Sequence, residues 1–318
     1  MKRKVVIVGA GAVGSTFAYA LAQDGVADEI VLMDAQRELA QGQVLDLSHG
    51  LPFLPPVSFM VGRPEDYANA QVIVITAGAK QKPGQSRLDL LRRNAAITEQ
   101  IMDEVTARDS RAVVVVGANP VDVLTRVALN RSDWPRNRIM GSGTVLDTAR
   151  FRYLFSQHCG VDARNVHAYI LGEHGDSEIA AWSWTHVAGI AMQEYCAICG
   201  KCADWAQVRE DIVEKVRKSA YHVIDYKGAT NYAIGLALVR IVRAILRDEH
   251  SVLTVSALQE GEFDLKDVCL GIPCVVSAKG IERVVHGELT VEEQAGLRRS
   301  AQVLQKAWND LQRAAGNP

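Results

Sequence analysis

His174 stands in GEHGDSE, with glycines at 172 and 175, where the backbone can turn and leave an imidazole facing a cleft. Upstream, GSGTVLDTARFR sets Asp147 and Arg150 three residues apart. On a helix that spacing puts both on one face. Reduction of a 2-keto acid requires a hydride donor, a proton donor to the carbonyl oxygen and a cation for the carboxylate. A histidine, with an ordinary pKa of about 6.5, gives or takes a proton near neutral pH. An arginine holds a carboxylate through two parallel hydrogen bonds. A carboxylate beside the histidine fixes its tautomer and favours the imidazolium. His174, Arg150 and Asp147 supply these three types, although spacing alone is also compatible with a structural Asp–Arg helix pair unrelated to His174.

The first residues, MKRKVVIVGAGAVGSTFAYALAQ, bear on the hydride donor. A basic start, an apolar run and spaced alanines are features of a secretion signal, but three glycines in six residues suit a continuous apolar leader helix poorly. They suit a buried strand that turns sharply into a helix, close against a pyrophosphate. A second apolar run, EIVLMDA, ends in Asp34, 20 residues beyond Gly14, where a dinucleotide-binding unit places the acid that accepts hydrogen bonds from the ribose. Gly9, Gly11, Ala12, Val13, Gly14 and Asp34 are therefore expected to contact the cofactor. An acid at 34 repels a 2′-phosphate, so NAD is expected rather than NADP, and the start of the chain is read as mature protein.

Around these residues, apolar runs alternate with helical stretches through the first half: KVVIVGA, EIVLMDA, VSFMVG, AQVIVITAG and RAVVVVGANP. Uninterrupted rather than alternating runs mean strands covered on both faces. The fold class is α/β, a Rossmann-type doubly wound parallel sheet followed by an α+β substrate domain. Domains are expected at 1–141 and 142–318. Ligands of such sheets lie at the carboxyl ends of the strands, which adds Thr76, Ala77 and Gly78 to the cofactor contacts. In the second half the pattern predicts helices over 208–226, 232–246 and 291–314, with strands in HSVLTVSALQ, FDLKDVCLGIPCVVSA and GIERVVHGEL.

With 318 residues there is room for two cores. A net charge of −2 gives no general attraction to nucleic acid or acidic membranes. No uninterrupted apolar stretch reaches the roughly 20 residues that span a bilayer, and a soluble, cytoplasmic protein is expected. Cys196, Cys199 and Cys202 follow C-x-x-C-x-x-C, a spacing that could hold a metal or a disulfide. Without an obvious fourth ligand they are read as free thiols at a helix-to-loop junction, with no metal.

The ordered set VGAGAVGS, TAGAKQKPGQSRLDLLRRN, GANPVDV, GSGTVLDTARFR, AYILGEHGDS and KGATNYAIG resembles the lactate/malate dehydrogenase family through almost the whole chain, and within it the bacterial, allosteric lactate enzymes. The resemblance implies His174 as acid/base, Asp147 as its partner and Arg150 as the carboxylate clamp. It adds Arg87, on a mobile loop that closes over substrate and polarises the carbonyl. Asn119 is implied near nicotinamide and substrate, and Thr230 lining the substrate pocket.

The family position that separates lactate from malate enzymes falls on Gln81. A neutral side chain there cannot compensate the desolvation of a second carboxylate, so pyruvate is favoured. Oxaloacetate is the alternative, because Lys80 and Lys82 flank Gln81. A non-catalytic NAD-binding protein is the alternative of another class, disfavoured because holding NAD does not require His174, Asp147, Arg150 or Arg87.

Arg152 is two residues from Arg150, so on a helix the two diverge by about 200° and serve different ligands. In the resembled enzymes, Arg and His at the positions of Arg152 and His167 bind fructose 1,6-bisphosphate with a symmetry-related subunit. The resemblance thus implies a homo-oligomer, dimer or tetramer, activated by that effector.

Overall fold

The computed structural model describes residues 2–79, 84, 86–201 and 204–314. Its first part alternates strand and helix: β1 (Lys4–Val8), α1 (Ala12–Asp24), β2 (Glu29–Met33), α2 (Arg37–His49), β3 (Ser58–Val61), β4 (Val72–Ile75), α3 (Arg87–Thr106), β5 (Val113–Val116), α4 (Val121–Arg131) and β6 (Ile139–Gly141). After α5 (Val145–Cys159) come five two-residue strands: β7 (Val166–His167), β8 (Ile170–Leu171), β9 (Ile179–Ala180), β10 (His186–Val187) and β11 (Ile190–Ala191). Helices α6 (Met192–Cys199), α7 (Trp205–Lys227) and α8 (Tyr232–Leu246) follow, then β12 (Ser251–Glu260), β13 (Lys266–Ser277), β14 (Gly280–Val284) and α9 (Val291–Ala314).

Strands β3-β2-β1-β4-β5-β6 pair in parallel in that order. The order reverses at β1/β4, the switch point where doubly wound sheets bind ligands. β1, β4 and β5 are buried at every residue, as uninterrupted Val/Ile runs require when helices cover both faces. Each expected strand and helix forms. The helix expected from 208 starts at Trp205, because the Asp204 side chain accepts from Gln207 N at 3.1 Å and caps an earlier turn.

The later strands do not make a separate sheet. β12, β13 and β14 continue the first sheet antiparallel from its β6 edge, through Ser256 paired with Gly141. A Cβ on Gly141 would lie 2.4 Å from Thr125 Oγ1 and 2.9 Å from Ser256 Cβ. Glycine is what lets this junction close. One apolar core spans the nine-stranded sheet, and a second, around Phe151, Phe155 and Val216, joins α5 to α7. In the second, Trp182 meets Phe151 edge-on at 4.8 Å and Trp205 at 5.1 Å. This packing seats α7 beside α5, the helix that carries Asp147 and Arg150.

Candidate active site

At the switch point, β1 ends in Gly9, whose φ of +110° is left-handed territory that L side chains rarely adopt. A Cβ on Gly14 would sit 1.8 Å from the Gly9 carbonyl oxygen, whereas one on Gly11 would meet nothing within 4 Å. The turn is therefore closed on its inner side and open at Gly11, where α1 begins with first-turn N–H groups that no side chain caps. Such an end favours a phosphate. Thr76 Oγ1 donates to Gly9 O at 2.9 Å, tying β4 to the turn. Asp34 accepts from Ala10 N at 2.8 Å and from Gln36 N at 2.9 Å. Its carboxylate is fixed beside the glycine turn, and the residues at both strand ends fit a dinucleotide.

A cavity of about 350 Å³ holds the second constellation, lined in part by Arg87, Asn119, Asp147, Arg150, His174 and Glu178. Asp147, buried in the first turn of α5, accepts from Arg150 Nη1 at 2.8 Å through Oδ1 and lies 2.5 Å from His174 Nδ1 through Oδ2. The three residues are one hydrogen-bonded cluster, and the unrelated helix pair is excluded. Burial, the largest influence on Asp147, favours its neutral acid, but His174 and Arg150 together hold the carboxyl below its usual pKa. In return the Asp147 charge lifts His174 to about 9 against the opposing effect of burial.

The His174 loop is held from several sides. Gly172 exchanges backbone hydrogen bonds with Gly271 of β13 at 2.9 and 2.8 Å. Glu173 N donates to Ser300 Oγ at 2.7 Å, and His174 N to Asp122 Oδ2 at 2.8 Å. Asp122, buried at the start of α4, also accepts from Ser256 Oγ at 2.6 Å. Burial pushes its carboxyl up to about 6, against those hydrogen bonds. From α7, Tyr221 Oη donates to Asp176 Oδ1 at 2.9 Å and Arg217 Nη2 to the Glu178 carbonyl at 2.8 Å.

Arg87 reaches the cavity from the first residue of α3, a helix capped by Ser86, which accepts from Asp89 N at 3.1 Å. It begins a helix and is not itself a loop residue. Thr230 lies between α7 and α8 and is not among the residues lining the cavity. Gln81, with Lys80 and Lys82, lies outside the described residues.

Arg152 does not point to open solvent: its Nε donates to Ala168 O at 3.0 Å, and its guanidinium lies 5.3 Å from the Tyr169 ring. His167, exposed on β7, adjoins Ala168 and pairs in register with His186 of β10. Among the described residues no cluster of three potential metal ligands occurs. Cys196 is disulfide-bonded, which corrects the expectation of a free thiol at that one position. Cys202 lies outside the described residues.

Sequence reading passed over Asp122, Asp176, Glu178, Arg217 and Tyr221. Asp176 and Glu178 stand in the GEHGDSE quoted above and Asp122 in GANPVDV, so a closer reading of those motifs would have reached them. Arg217 and Tyr221 carry no local signal, because only the docking of α7 brings them to the site.

A glycine turn and acidic strand end at the switch point, beside a cavity with a paired histidine and arginine, define a nucleotide-dependent oxidoreductase of the Rossmann class. Residues 3–141 match the NAD binding domain of lactate/malate dehydrogenase, and residues 144–314 its alpha/beta C-terminal domain. The chain belongs to the lactate/malate dehydrogenase family and is an NAD-dependent dehydrogenase. It is 56% identical over 312 residues to an L-lactate dehydrogenase of Treponema denticola, covering 98% of each chain. A protein of the same name from Acetivibrio thermocellus is 49% identical over 309 residues, 97% of each. A ligand-bound crystal structure of the minor L-lactate dehydrogenase from Enterococcus mundtii superposes with a TM-score of 0.94 at 43% identity, over 97% of this chain and 98% of that one.

Proposed function

We propose that this protein reduces pyruvate to L-lactate, reversibly, with NADH. The observation that carries the reading is the His174–Asp147–Arg150 cluster at one cavity. With Nδ1 engaged by Asp147, the imidazolium has Nε2 to donate, and it protonates the carbonyl oxygen as the carbon is reduced. Bound NADH supplies the hydride. Arg150 offers the guanidinium edge not bonded to Asp147 to the substrate carboxylate, in a bidentate pairing. Arg87 polarises the carbonyl where water is excluded, and Asn119 serves both nicotinamide and substrate. Gly9, Gly11, Ala12, Val13, Gly14, Thr76, Ala77 and Gly78 cradle the dinucleotide and Asp34 holds its ribose. Gln81 and Thr230 are retained as substrate-side residues, with domains at 1–141 and 142–318.

One observation favours a second reading. Arg217 lines the same cavity and is a cation for the second carboxylate of oxaloacetate. Against it, Arg217 Nη2 is engaged by the Glu178 carbonyl. The proposal extends to a cytoplasmic homo-oligomer activated by fructose 1,6-bisphosphate, with Arg152 and His167 facing the effector across a two-fold axis. The Arg152 bond to the carbonyl of Ala168, the residue next to His167, supports that pairing.

NADH oxidation with pyruvate and with oxaloacetate, each with and without the bisphosphate, tests the whole reading. A pyruvate preference and a lower apparent pyruvate KM with effector are expected. Preference for oxaloacetate would transfer the role to Arg217, and an unaltered KM would remove the effector site.

A further inference from the structure

Glu178 is a buried ionisable group for which the chemistry above has no use. It is 3% exposed and lines the cavity with Asp147, Arg150, His174 and Arg217. Its Oε1 is buried without a hydrogen-bond partner among the described residues. Three arginines line the cavity, yet Arg217 bonds the Glu178 backbone oxygen, Arg150 bonds Asp147, and Arg87, at the start of α3, makes no bond to the Glu178 side chain among the described residues. An ionised carboxylate left without donors is costly to bury, whereas a neutral acid is far less so. An ionised one would also draw a neighbouring guanidinium toward itself.

We propose that Glu178 is a positioning residue for carboxylate binding: as the neutral acid it leaves Arg150 open to substrate, and once ionised it competes with substrate for that guanidinium. The inference rests on the reading of Arg150 as the carboxylate clamp. The groups around Glu178 act in both directions. Burial foremost, then Asp147 of α5, keep its proton on, while His174 of the loop, Arg217 of α7 and Arg150 of α5 oppose them. The balance lifts the carboxyl to about 8. Around neutral pH the acid form prevails, and above about 8 the competing charge develops. Because saturating pyruvate still displaces the competitor, the effect falls on KM rather than on kcat.

The test compares the pyruvate KM of the NADH-loaded enzyme at about pH 7 and about pH 8.5, in the unaltered protein and in Glu178→Gln, which cannot ionise. The ratio of the two KM values is expected to be several-fold in the unaltered protein, since a single ionisation changes affinity by up to about tenfold per pH unit. In Glu178→Gln it should stay near one, with kcat moving little across the interval in both. Equal ratios in the two proteins would overturn the proposal. Infrared difference spectra of the unaltered protein give a readout that needs no variant. A protonated-carboxyl stretch that persists at pH 7 and is lost as pH rises through about 8 is expected, and its absence at pH 7 would overturn the idea. Arg150→Lys separates the two layers. If it leaves the pyruvate KM unchanged, the clamp reading fails. If it raises KM while Glu178→Gln keeps the pH dependence, the role of Glu178 alone fails.

Discussion

At the residue scale, reactivity is set by one buried carboxylate shared between a base and a cation. Asp147 keeps its charge in a buried position because His174 and Arg150 both bond to it, and that charge holds a proton on His174 up to about 9. Asp147→Asn keeps the shape and removes the charge. Pyruvate reduction by that variant is expected to fall by about 10²- to 10⁴-fold, the range for loss of a positioned acid. Its alkaline limit should shift to lower pH, since the imidazolium loses its counter-charge. Steady-state rates across pH 6 to about 10 measure both effects, and an alkaline limit that stays in place would remove Asp147 from control of His174. The residue types and the three-residue spacing were legible in the sequence, but the sharing of one carboxylate was not.

At the element scale, the glycine turn is a packing device before it is a binding site. A Cβ on Gly14 would collide with the Gly9 carbonyl at 1.8 Å, so Gly14→Ala must push the start of α1 away from β1. NADH affinity, followed by nucleotide fluorescence, is expected to drop by at least about tenfold, because the N–H groups that face the phosphates move with the helix. Unchanged affinity would show that the turn relaxes without displacing the helix. The G-x-G-x-x-G spacing and the acid 20 residues on were readable because strand, turn and helix are local in sequence. The extension of the sheet by β12 to β14 was not: it depends on Gly141 meeting Ser256 across more than a hundred residues.

At the scale of the whole molecule, three groups in or beside the cavity, two buried and one half-buried, bind protons more tightly in the folded chain than when exposed. Asp122 is raised to about 6, Glu178 to about 8 and His174 to about 9, each above its ordinary value. The raised histidine stabilises the fold fully below about 6.5, and that contribution is lost as pH rises through about 9. The raised carboxyls act in the same sense. Between the unfolded and folded pKa the native chain holds a proton that the unfolded chain has released, so rising pH favours unfolding. The urea midpoint is therefore expected to fall steadily from about pH 6 to about pH 9, as equilibrium denaturation at several pH values would show. A midpoint that rises over that interval would contradict these three ionisations as the dominant ones.

The sequence by itself determined what short-range geometry controls: uninterrupted apolar strands, the glycine turn after the first of them, the acid that ends the second, and Asp147 and Arg150 on one helical face. These follow from backbone sterics and the helical and strand periods, which act over a few residues. Tertiary structure decided the rest. It brought His174 onto Asp147, set Arg152 beside the strand that bears His167, and docked α7 so that Arg217 and Tyr221 reach the cavity. It also buried Glu178 without a partner for one oxygen. Those outcomes depend on burial and on contacts between distant segments, because the desolvation that shifts an ionisable group exists only once the chain has packed around it.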